Sequence, residues 1–449
     1  MSSDGQLVSL GELLEITSSK RIHMADYVAA GVPFYRSKEI IERSKGNKIS
    51  TELFIAPAQF AVIKQKFGSP TNGDILLTSV GTLGVPYVVK GDGDFYFKDG
   101  NLTWMRNFTA EVNSQFLYYW LSSPRIQQKL DEISIGSTQK ALTISALKTL
   151  KILLPSRTVQ DGIVEILGAI SDRITLLRET NVTLEAIPKA IFKSWFVDFD
   201  PTISKVEGKK QQDISAEIES LFPNSFEQSE LGKLPKGWKV EWLSDVFDFK
   251  EGPGIRNWQY TNTEEGTRFI NIRCIQNGDL EVGTANRISD VEANGKYAHF
   301  HLQEWDVVVS TSGTLGRSGI VRKEHLPLML NTSVIRFRPI SHKTTFGFVY
   351  CYINAPEFLY KIESMASGSV QKNFGPMHLN QIKMICPNFE LMEYFDNLTK
   401  PLFEKLIANR RHIENLVELR DALIPRLVSG QINDLEIMKN SEKRLTEHL

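Results

Sequence analysis

The residues that most resemble a catalytic set lie near the middle of the chain. Asp198 and Asp200 precede Glu207-Gly-Lys209, which superficially matches the Asp…Glu-x-Lys pattern of metal-dependent nucleases. Such an enzyme needs its carboxylates fixed around a metal ion, but the residues around Glu207 are polar and give no strand pattern. We expect a solvated loop without a metal site here, and keep a nuclease centred on Asp200, Glu207 and Lys209 as an alternative to be tested.

Other enzymatic motifs are missing from the chain. There is no Pro-Pro dipeptide, so the Asn/Asp-Pro-Pro-aromatic turn with which amino-methyltransferases hold a flipped base is absent. No Gly-x4-Gly-Lys-Ser/Thr loop is present to cradle a triphosphate. The eight histidines show no ligand spacing with carboxylates. We therefore expect no catalytic residues and no cofactor.

Cysteine usage and composition predict a cytoplasmic protein of two or more domains. Cys274, Cys351 and Cys386 are scattered and form no CxxC pair, which favours reduced, buried thiols over disulfides or a zinc site. With 449 residues, of which 41% are apolar, the chain can form a core in each half. It has no apolar stretch of about 18 residues and no secretory signal pattern at its N-terminus, so we expect no membrane contact.

The overall charge does not by itself indicate nucleic acid. The chain has 52 basic and 53 acidic residues and a net charge of −1. This balance argues against a protein that coats nucleic acid by bulk charge. Local basic patches, or a basic partner that shares the phosphates, would still permit DNA binding.

An internal repeat determines the organisation of the chain. The stretch Gly73-Asp-Ile-Leu-Leu-Thr-Ser-Val-Gly-Thr-Leu-Gly84 aligns with Trp305-Asp-Val-Val-Val-Ser-Thr-Ser-Gly-Thr-Leu-Gly316, which gives a numbering offset of 232 (305 − 73). A period of this length is unsuited to a solenoid, so each copy should be a domain with its own core. Further matched pairs are Phe116–Trp120 with Phe348–Tyr352, Gln139-Lys140 with Gln371-Lys372 and, with a slip of two residues, Asn101–Arg106 with Asn331–Arg336.

The two copies have the same predicted order of elements. In each, short strands and turns come first, and Ile75-Leu-Leu and Val307-Val-Val have the pattern of buried strands that run into Ser/Thr/Gly turns. A helix is predicted over about 114–131, with its equivalent near 346–363. A long helical segment then ends each copy.

The long helical segments carry narrow apolar stripes at steps of three and four or their sum. Because about 40 helical residues rise roughly 60 Å, more than a small domain is wide, we expect the two helices to pack antiparallel as a spacer. Pro188, Pro401 and Pro425 lie within the stripes and should kink or end a helix locally. The stripes are Ile163, Ile166, Ile170, Ile174, Leu177, Leu184, Ile187 and Ile191 in the first, and Leu391, Phe395, Leu398, Leu402, Leu406, Ile413, Leu416, Leu423 and Leu427 in the second.

Four sequence blocks resemble those of the specificity subunits of type I restriction–modification systems. Ala190-Ile-Phe-Lys-Ser-Trp-Phe-Val-Asp-Phe-Asp-Pro201 resembles the central conserved region of that family. Phe222–Trp238 resembles the entry to its second half, and Leu419–Ile432 resembles its C-terminal conserved helix end. The two Gly-Thr-Leu-Gly turns resemble a strand–loop element of its target recognition domains. The resemblance covers nearly the whole chain.

The resemblance implies a fold, a function and a set of partners. The fold would be α+β, with two similar mixed α/β target recognition domains joined by an antiparallel pair of long helices, as a pseudo-two-fold tandem repeat. Each domain would read one block of a bipartite asymmetric site in double-stranded DNA. Two methylating subunits would bind the helical region, and restriction subunits would join them in systems that have one.

We expect the following domain boundaries: target recognition domain 1 at 1–155, the central spacer helix at 156–200, a linker at 201–235, target recognition domain 2 at 236–388, the C-terminal spacer helix at 389–432 and a tail at 433–449.

Polar turns at strand ends are the candidate DNA contacts. Hydroxyls and backbone amides suit phosphates, arginine suits guanine, and asparagine or glutamine suits adenine, although each residue could equally be a solvated or fold-stabilising side chain. In the first copy the candidates are Ser18, Ser19, Lys20, Arg21, Arg36, Ser37, Thr78, Ser79, Thr82, Gln139 and Lys140. In the second copy they are Arg256, Asn257, Arg273, Ser312, Thr314, Arg317, Gln371 and Lys372.

The helical region supplies the candidate partner contacts Phe192, Trp195, Phe196, Leu423 and Leu427. For Trp195-Phe196 we expect packing at a helix end or a partner contact, with stacking on a base as the alternative. Matched scaffold residues beside differing turns are what two readers of different sequences would show. The leading hypothesis is therefore a non-enzymatic specificity subunit. A structural adaptor or antagonist that binds the methylating subunit without reading DNA is the alternative.

Overall fold

The computed structural model describes residues 6–46, 49, 51–91, 93–137, 139–209, 214–261, 265–366 and 372–430. The chain divides into two compact units. Unit 1 consists of residues 1–178 and 411–449, and unit 2 of residues 179–410. The predicted tail at 433–449 and candidate contact Gln371 lie outside the described residues.

The first copy of the repeat is built from short strands and helices. Its strands are β1 Gln6–Ser9, β2 Glu15–Thr17, β3 Tyr27–Val28, β4 Val32–Tyr35, β5 Phe54–Ile55, β6 Ile75–Thr78, β7 Pro86–Val88, β8 Tyr96–Phe97, β9 Leu102–Arg106 and β10 Lys151–Leu154. Its helices are α1 Leu10–Leu13, α2 Ser37–Ser44, α3 Pro57–Phe67, α4 Ser114–Ser122, α5 Pro124–Glu132, α6 Ile144–Thr149 and the long α7 Arg157–Phe192.

The second copy has the same kinds of element. Its helices are α8 Asp200–Val206, α9 Ala216–Leu221, α10 Leu243–Val246, α11 Asp290–Asn294, α12 Phe346–Ile353, α13 Pro356–Met365, α14 Pro376–Leu379 and the long α15 Phe389–Val428. Its strands are β11 Phe226–Ser229, β12 Gly232–Pro235, β13 Lys239–Trp242, β14 Phe247–Glu251, β15 Tyr260–Thr261, β16 Thr267–Ile270, β17 Ile275–Gln276, β18 Asp279–Leu280, β19 Asn286–Ile288, β20 Val307–Ser310, β21 Ser318–Ile320, β22 Leu328–Leu330, β23 Val334–Pro339 and β24 Lys383–Cys386.

Sheet topology repeats between the copies. The sheet β2-β9-β6-β7 corresponds to β14-β23-β20-β21, the sheet β3-β5-β4-β8 to β15-β19-β16-β22, and the pair β1-β10 to β13-β24. In both second sheets the last pair, β4-β8 or β16-β22, is parallel. The fully buried β6 and β20 lie inside the first sheets, as their continuous apolar sequence predicts.

Strand register corrects one part of the sequence alignment. Met105 pairs with Ile75, and Phe337 pairs with Val307, so both strands keep the offset of 232 (337 − 105 and 307 − 75). The expected slip of two residues is therefore wrong, and Arg106 corresponds to Arg338, not to Arg336. Pairing along the whole strand sets the register, and the similarity of two Asn-x4-Arg stretches was misleading.

Prolines divide the shorter helices but not the long ones. The helix predicted over 114–131 is two helices, because Pro124 begins α5, and Pro356 begins α13 in the same way. The residue before a proline is disfavoured in the helical region. By contrast, α7 continues beyond Pro188, and α15 passes through both of its prolines, since packed apolar residues on either side stabilise these helices.

The two long helices have the lengths that the stripes predicted. Helix α7 has 36 residues and α15 has 40, which correspond to about 54 and 60 Å. Within unit 2, Asn409 donates a hydrogen bond of 2.9 Å to Asn181, and the Phe192 ring lies 6.1 Å from the Phe395 ring. In this unit the earlier residue of α7 meets the later residue of α15, so the helices run antiparallel there.

Helix α7 and helix α15 also share the core of unit 1. Ile163 and Leu167 of α7 belong to the same buried cluster as Ile424 and Leu427 of α15. Leu167 was not part of the predicted stripe, and Leu398, which was, is 43% exposed. The two helices thus pack against each other within both units. Which residues of the apolar stripes are buried depends on the local packing.

The segment at 201–235, expected as a linker, is folded in unit 2. It contains α8, α9 and the antiparallel hairpin β11-β12. Phe222 and Leu234 from this segment are 2% exposed and belong to the main core of unit 2. Two large apolar side chains therefore attach this otherwise polar segment to the domain.

Candidate nucleic-acid interface

The segment Ser18–Arg21 follows β2 and is held against the end of β8. Ser19 Oγ donates to the Phe97 carbonyl at 2.7 Å, and the Lys20 amide donates to the Tyr96 hydroxyl at 2.7 Å. Arg21 pairs with Asp99 at 2.8 Å. These bonds fix the backbone and leave the Lys20 and Arg21 side chains exposed.

Arg36 and Ser37 form the start of α2. The Arg36 guanidinium contacts Glu39 at 2.6 Å, and the Arg36 amide donates to the same carboxylate at 2.8 Å. The hydrogen bond to Glu39 raises the pKa of Arg36 above its ordinary value. Arg36 is half-buried with its charge partly neutralised, so its pairing with Glu39 competes with a DNA contact.

The Gly-Thr-Leu-Gly turns are held by the same hydrogen bond in both copies. The amide of Val85 donates to Thr78 Oγ1 at 2.9 Å, and the amide of Arg317 donates to Ser310 Oγ at 3.0 Å. Donor and acceptor in one copy are related to those in the other by the offset of the repeat. Thr82 and Thr314, at the tips of the turns, are exposed.

Four candidate hydroxyl residues, Ser19, Thr78, Ser79 and Ser312, are buried by the fold. Thr78 is 0% and Ser79 3% exposed, and Ser79 Oγ lies 2.6 Å from Thr103 Oγ1. Ser312 is 8% exposed, and its backbone forms an isolated antiparallel β-bridge with Asn373. We correct the prediction for the Ser19, Thr78 and Ser79 side chains, because a hydroxyl that is buried and hydrogen-bonded within the fold cannot reach a phosphate or a base. The Ser312 bridge is made by its backbone, so its side chain stays a prediction.

The turn lies beside the Gln-Lys segment in each unit. Val80 bridges to Ala141 in unit 1, as Ser312 does to Asn373 in unit 2. The Leu142 amide donates to the Ser79 carbonyl at 2.9 Å, and the equivalent bond from Phe374 to Thr311 is 3.2 Å. The fold therefore brings Thr82 near Gln139 and Lys140 in unit 1, and Thr314 and Arg317 near Lys372 in unit 2.

In unit 1 the other candidates converge on one loop, Asp99–Asn101. Ser18 Oγ accepts from the Gly100 amide at 3.4 Å, and Arg21 pairs with Asp99. The Asn101 carbonyl accepts from Ser37 Oγ at 3.3 Å and from the Ser79 amide at 2.8 Å. The loops that contain positions 18, 37 and 79 thus form one surface.

In unit 2 the loop Asn331–Ser333 takes the same place. The Ile255 amide donates to Asn331 Oδ1 at 3.1 Å, and the Thr311 amide donates to the Ser333 carbonyl at 2.9 Å. Arg256 and Asn257 follow directly after Ile255 and are exposed. Arg273 is also exposed, and Ile272 beside it lies against Gly313 of the turn.

The charges on these surfaces are available for phosphate binding. Lys140 pairs with Asp131 at 2.7 Å, and Arg317 contacts Thr314 Oγ1 at 3.1 Å. Exposed ion pairs are worth only about 0–1 kcal/mol. A phosphate can therefore displace such partners at little cost.

A large apolar residue that sequence reasoning missed stands beside the candidates in each unit. Met24 is 86% and Trp258 79% exposed, and both lie in equivalent short 3-10 helices, Met24–Asp26 and Asn257–Gln259. Trp258 follows the candidates Arg256 and Asn257 directly. A tryptophan directly after Arg256 and Asn257 was the available sequence signal, because it adds a large apolar surface beside two candidate DNA contacts.

The predicted partner contacts are core residues of the chain. Phe192, Trp195 and Phe196 are 3–7% exposed and pack around Phe395 at ring distances of 5.3–6.1 Å. Leu427 is 2% exposed in the core of unit 1, and Leu423 packs against that core. We therefore correct the partner prediction for these side chains. The exposed large apolar residues on the long helices are Leu176, Val182, Ile187, Leu398 and Leu419.

The nuclease-like residues are each engaged locally. Glu207 pairs with Lys209 at 2.7 Å, and Asp200 accepts from Ser194 Oγ at 2.7 Å. Within the part of the chain that the structure describes, no group of three or more His, Cys, Asp or Glu side chains could hold a metal ion. Nor do the described helices include one that is long and apolar enough to cross a bilayer. The three cysteines are buried and free.

Comparison with known proteins gives a consistent result. The family model of the type I restriction modification DNA specificity domain matches residues 2–186 and 235–408. The chain is 25% identical to the specificity subunit of the type I restriction enzyme HindI of Haemophilus influenzae, over 80% of this chain and 86% of that protein. It is 24% identical to the MjaIX specificity subunit of Methanocaldococcus jannaschii, over 94% of this chain and 91% of that protein.

A solved structure shows the same fold. The S subunit of a type I restriction–modification system from M. genitalium superposes with a TM-score of 0.52 at 16% identity, covering 95% of this chain and 97% of that one.

Proposed function

The chain belongs to the type I restriction–modification DNA specificity family, and from this premise we propose that it reads a bipartite, asymmetric DNA site for partner enzymes. As a specificity subunit it supplies sequence recognition to a type I complex. Each copy of the repeat would read one block of the site. Residues 1–155 and 236–388 would be the two target recognition domains, and 156–200 and 389–432 the spacer.

The repeated loop surface is the observation that supports this proposal. In both units an equivalent backbone hydrogen bond, Ser79 to Asn101 or Thr311 to Ser333, joins the Gly-Thr-Leu-Gly turn to one loop, Asp99–Asn101 or Asn331–Ser333. Side chains on this common scaffold differ, with Val85 in unit 1 at the position of Arg317 in unit 2. A constant scaffold with variable contacts is what two readers of different base sequences need.

The chemistry would come from partners. We propose that the chain performs no methylation or cleavage, and that two methylating subunits bind it, joined by restriction subunits where the system has them. We propose that the chain acts in the cytoplasm, where the DNA is. Paired helices would separate the readers and so determine the number of unread base pairs.

The methylated motif of the host provides the test. Modified-base sequencing of cells that express the chain with its methylating subunit should reveal adenine methylation at one bipartite motif, and the chain alone should give none. Methylation or cleavage by the isolated chain would contradict the proposal. Binding of the methylating subunit without any motif-specific methylation would favour the adaptor alternative.

The partner surface is proposed to include the exposed apolar residues of the long helices. Val182 is 70% and Ile187 41% exposed on α7, and neither has a packing role that would explain its type. We predict that Val182→Glu weakens binding of the methylating subunit at least about tenfold, because a charge is desolvated in the contact.

Co-purification and titration with the methylating subunit measure this change. Ala169→Glu, which adds the same charge at an exposed position earlier on α7, is the control for charge alone and should bind normally. Equal binding by Val182→Glu and the unaltered chain would exclude this surface.

A further inference from the structure

One arginine on each long helix contacts a glycine of its own unit, and the two pairs have the same spacing along the chain. Arg178 of α7 lies against Gly46 in unit 1, and Arg410 of α15 lies against Gly278 in unit 2. The two arginines and the two glycines are each 232 residues apart (410 − 178 and 278 − 46). The pairs lie outside the sequence blocks from which the repeat was recognised.

In unit 1 the contact is made at the end of α2. Gly46 has a φ of +79° and follows the last turn of that helix. Arg178 Nη1 donates to the Lys45 carbonyl at 3.0 Å. A Cβ at Gly46 would lie 3.3 Å from the same nitrogen, so the guanidinium fits closely against a residue without a side chain.

In unit 2 the contact is made at a hairpin. Asn277 and Gly278, with φ of +52° and +74°, form the two-residue turn between β17 and β18. A Cβ at Gly278 would lie 3.2 Å from Arg410 Nη2. The Nε of Arg410 lies 3.6 Å from Asp279, which also pairs with Arg322 at 3.3 Å. Arg410 is only 7% exposed, so its charge is held inside the unit.

The local structures and the polar partners of the two arginines differ, but each guanidinium lies against a glycine. A helix end meets the arginine in one unit and a hairpin turn meets it in the other, yet both present a left-handed glycine to the guanidinium. In both units an arginine of a long helix packs against a left-handed glycine, which points to a geometric role that both units share.

The contacted segments lead directly from the candidate DNA contacts. Helix α2 begins next to Arg36 and Ser37, and its eight residues span about 12 Å to the turn at Gly46. In unit 2, Arg273 precedes Gly278 by one short strand, β17. Each arginine therefore holds one end of a short, rigid element whose other end belongs to the candidate interface.

We propose that Arg178 and Arg410 are positioning residues for DNA reading, which fix the orientation of these elements on the long helices. The inference rests on the proposed function of the chain. It assigns Arg178 to one block of the recognition site and Arg410 to the other. Neither arginine needs to touch DNA.

The experiment uses the complex of the full chain with its methylating subunit. Methylation rates are compared on duplexes that carry the intact motif, a base-pair change in one block, or a change in the other. Arg178→Met should lower discrimination at one block by about tenfold, within the usual effect of a single mismatched base pair, and leave the other block unchanged. Arg410→Met should do the reverse.

Conservative and control variants separate positioning from loss of structure. Arg178→Lys and Arg410→Lys retain a donor and should recover part of the discrimination, whereas Gly46→Ala and Gly278→Ala should reproduce the loss from the other side of the contact. Arg173→Met on α7 and Lys405→Met on α15, both exposed, should change neither block. If Arg410→Met fails to assemble, Arg410→Lys and Gly278→Ala carry the test for unit 2.

The outcomes distinguish the two proposals. Absence of motif-specific methylation by the wild-type complex would reject the proposed function. Normal wild-type methylation with variants that alter neither block, or both blocks in parallel with the melting temperature, would reject the positioning role.

Discussion

At the scale of single residues, exposure separates side chains that can read DNA from those that build the surface. Lys20, Arg256 and Arg317 are exposed on the strand-end loops. Thr78 and Ser79 were predicted as DNA contacts on the same grounds, but their side chains are buried. The hydroxyls of Thr78 and Ser310 hold the turns in place. Residue type therefore indicates the chemistry that is possible, and burial decides whether it is used.

Trp258 provides a test at this scale. We predict that Trp258→Ala weakens DNA binding by the complex about tenfold, because burying this exposed ring against the duplex would contribute roughly 1.5–3 kcal/mol. Fluorescence anisotropy with motif DNA measures the change. Trp242→Ala, which removes a 43% exposed tryptophan from β13, is the matched control and should bind normally. Unchanged affinity of Trp258→Ala would show that this ring is not in contact.

At the scale of elements, the long helices are attached to each globular body by polar contacts as well as by apolar packing. In unit 2, Tyr350 of α12 donates to Glu185 of α7 at 2.6 Å, and Lys189 contacts the same carboxylate at 2.8 Å. Burial opposes ionisation of Glu185, but the charge of Lys189 and these hydrogen bonds outweigh it and hold the pKa of Glu185 below its ordinary value. Glu185 is therefore ionised at neutral pH, where its hydrogen bond from Tyr350 is charge-assisted.

The lowered pKa makes the attachment of α7 to α12 sensitive to acid. A carboxylate whose pKa is lower in the folded than in the unfolded chain stabilises the fold above about pH 4.3, and this contribution is lost as the pH falls through the folded pKa. We predict that Glu185→Gln lowers the free energy of unfolding by about 1–2 kcal/mol at neutral pH. At a pH below the folded pKa of Glu185 the substitution should leave this free energy unchanged. Urea unfolding at several pH values measures this; a constant difference between the two proteins would contradict it.

At the scale of the whole molecule, the near-neutral charge limits how the chain can hold DNA. A net charge of −1 leaves only the local cations of the loop surfaces for phosphate contacts. Affinity for random duplex should therefore fall by about ten- to fortyfold between about 50 and 200 mM salt, as two or three phosphate contacts require. Anisotropy titrations with the isolated chain check this. A fall of more than about a thousandfold would indicate a larger basic surface.

The sequence by itself determined the repeat, the two long helices and the absence of known catalytic motifs, because periodicity and motif spacing are properties of the linear chain. It even contained the equal spacing of Arg178 and Arg410 from their glycines. Only the tertiary structure decided which residues meet. Phe192, Trp195 and Phe196 fill a core, and Ser18, Ser37 and Ser79 lie around one loop. The two arginines contact glycines that are far away in the sequence. Such contacts depend on how strands pair and helices pack, and no local pattern encodes them.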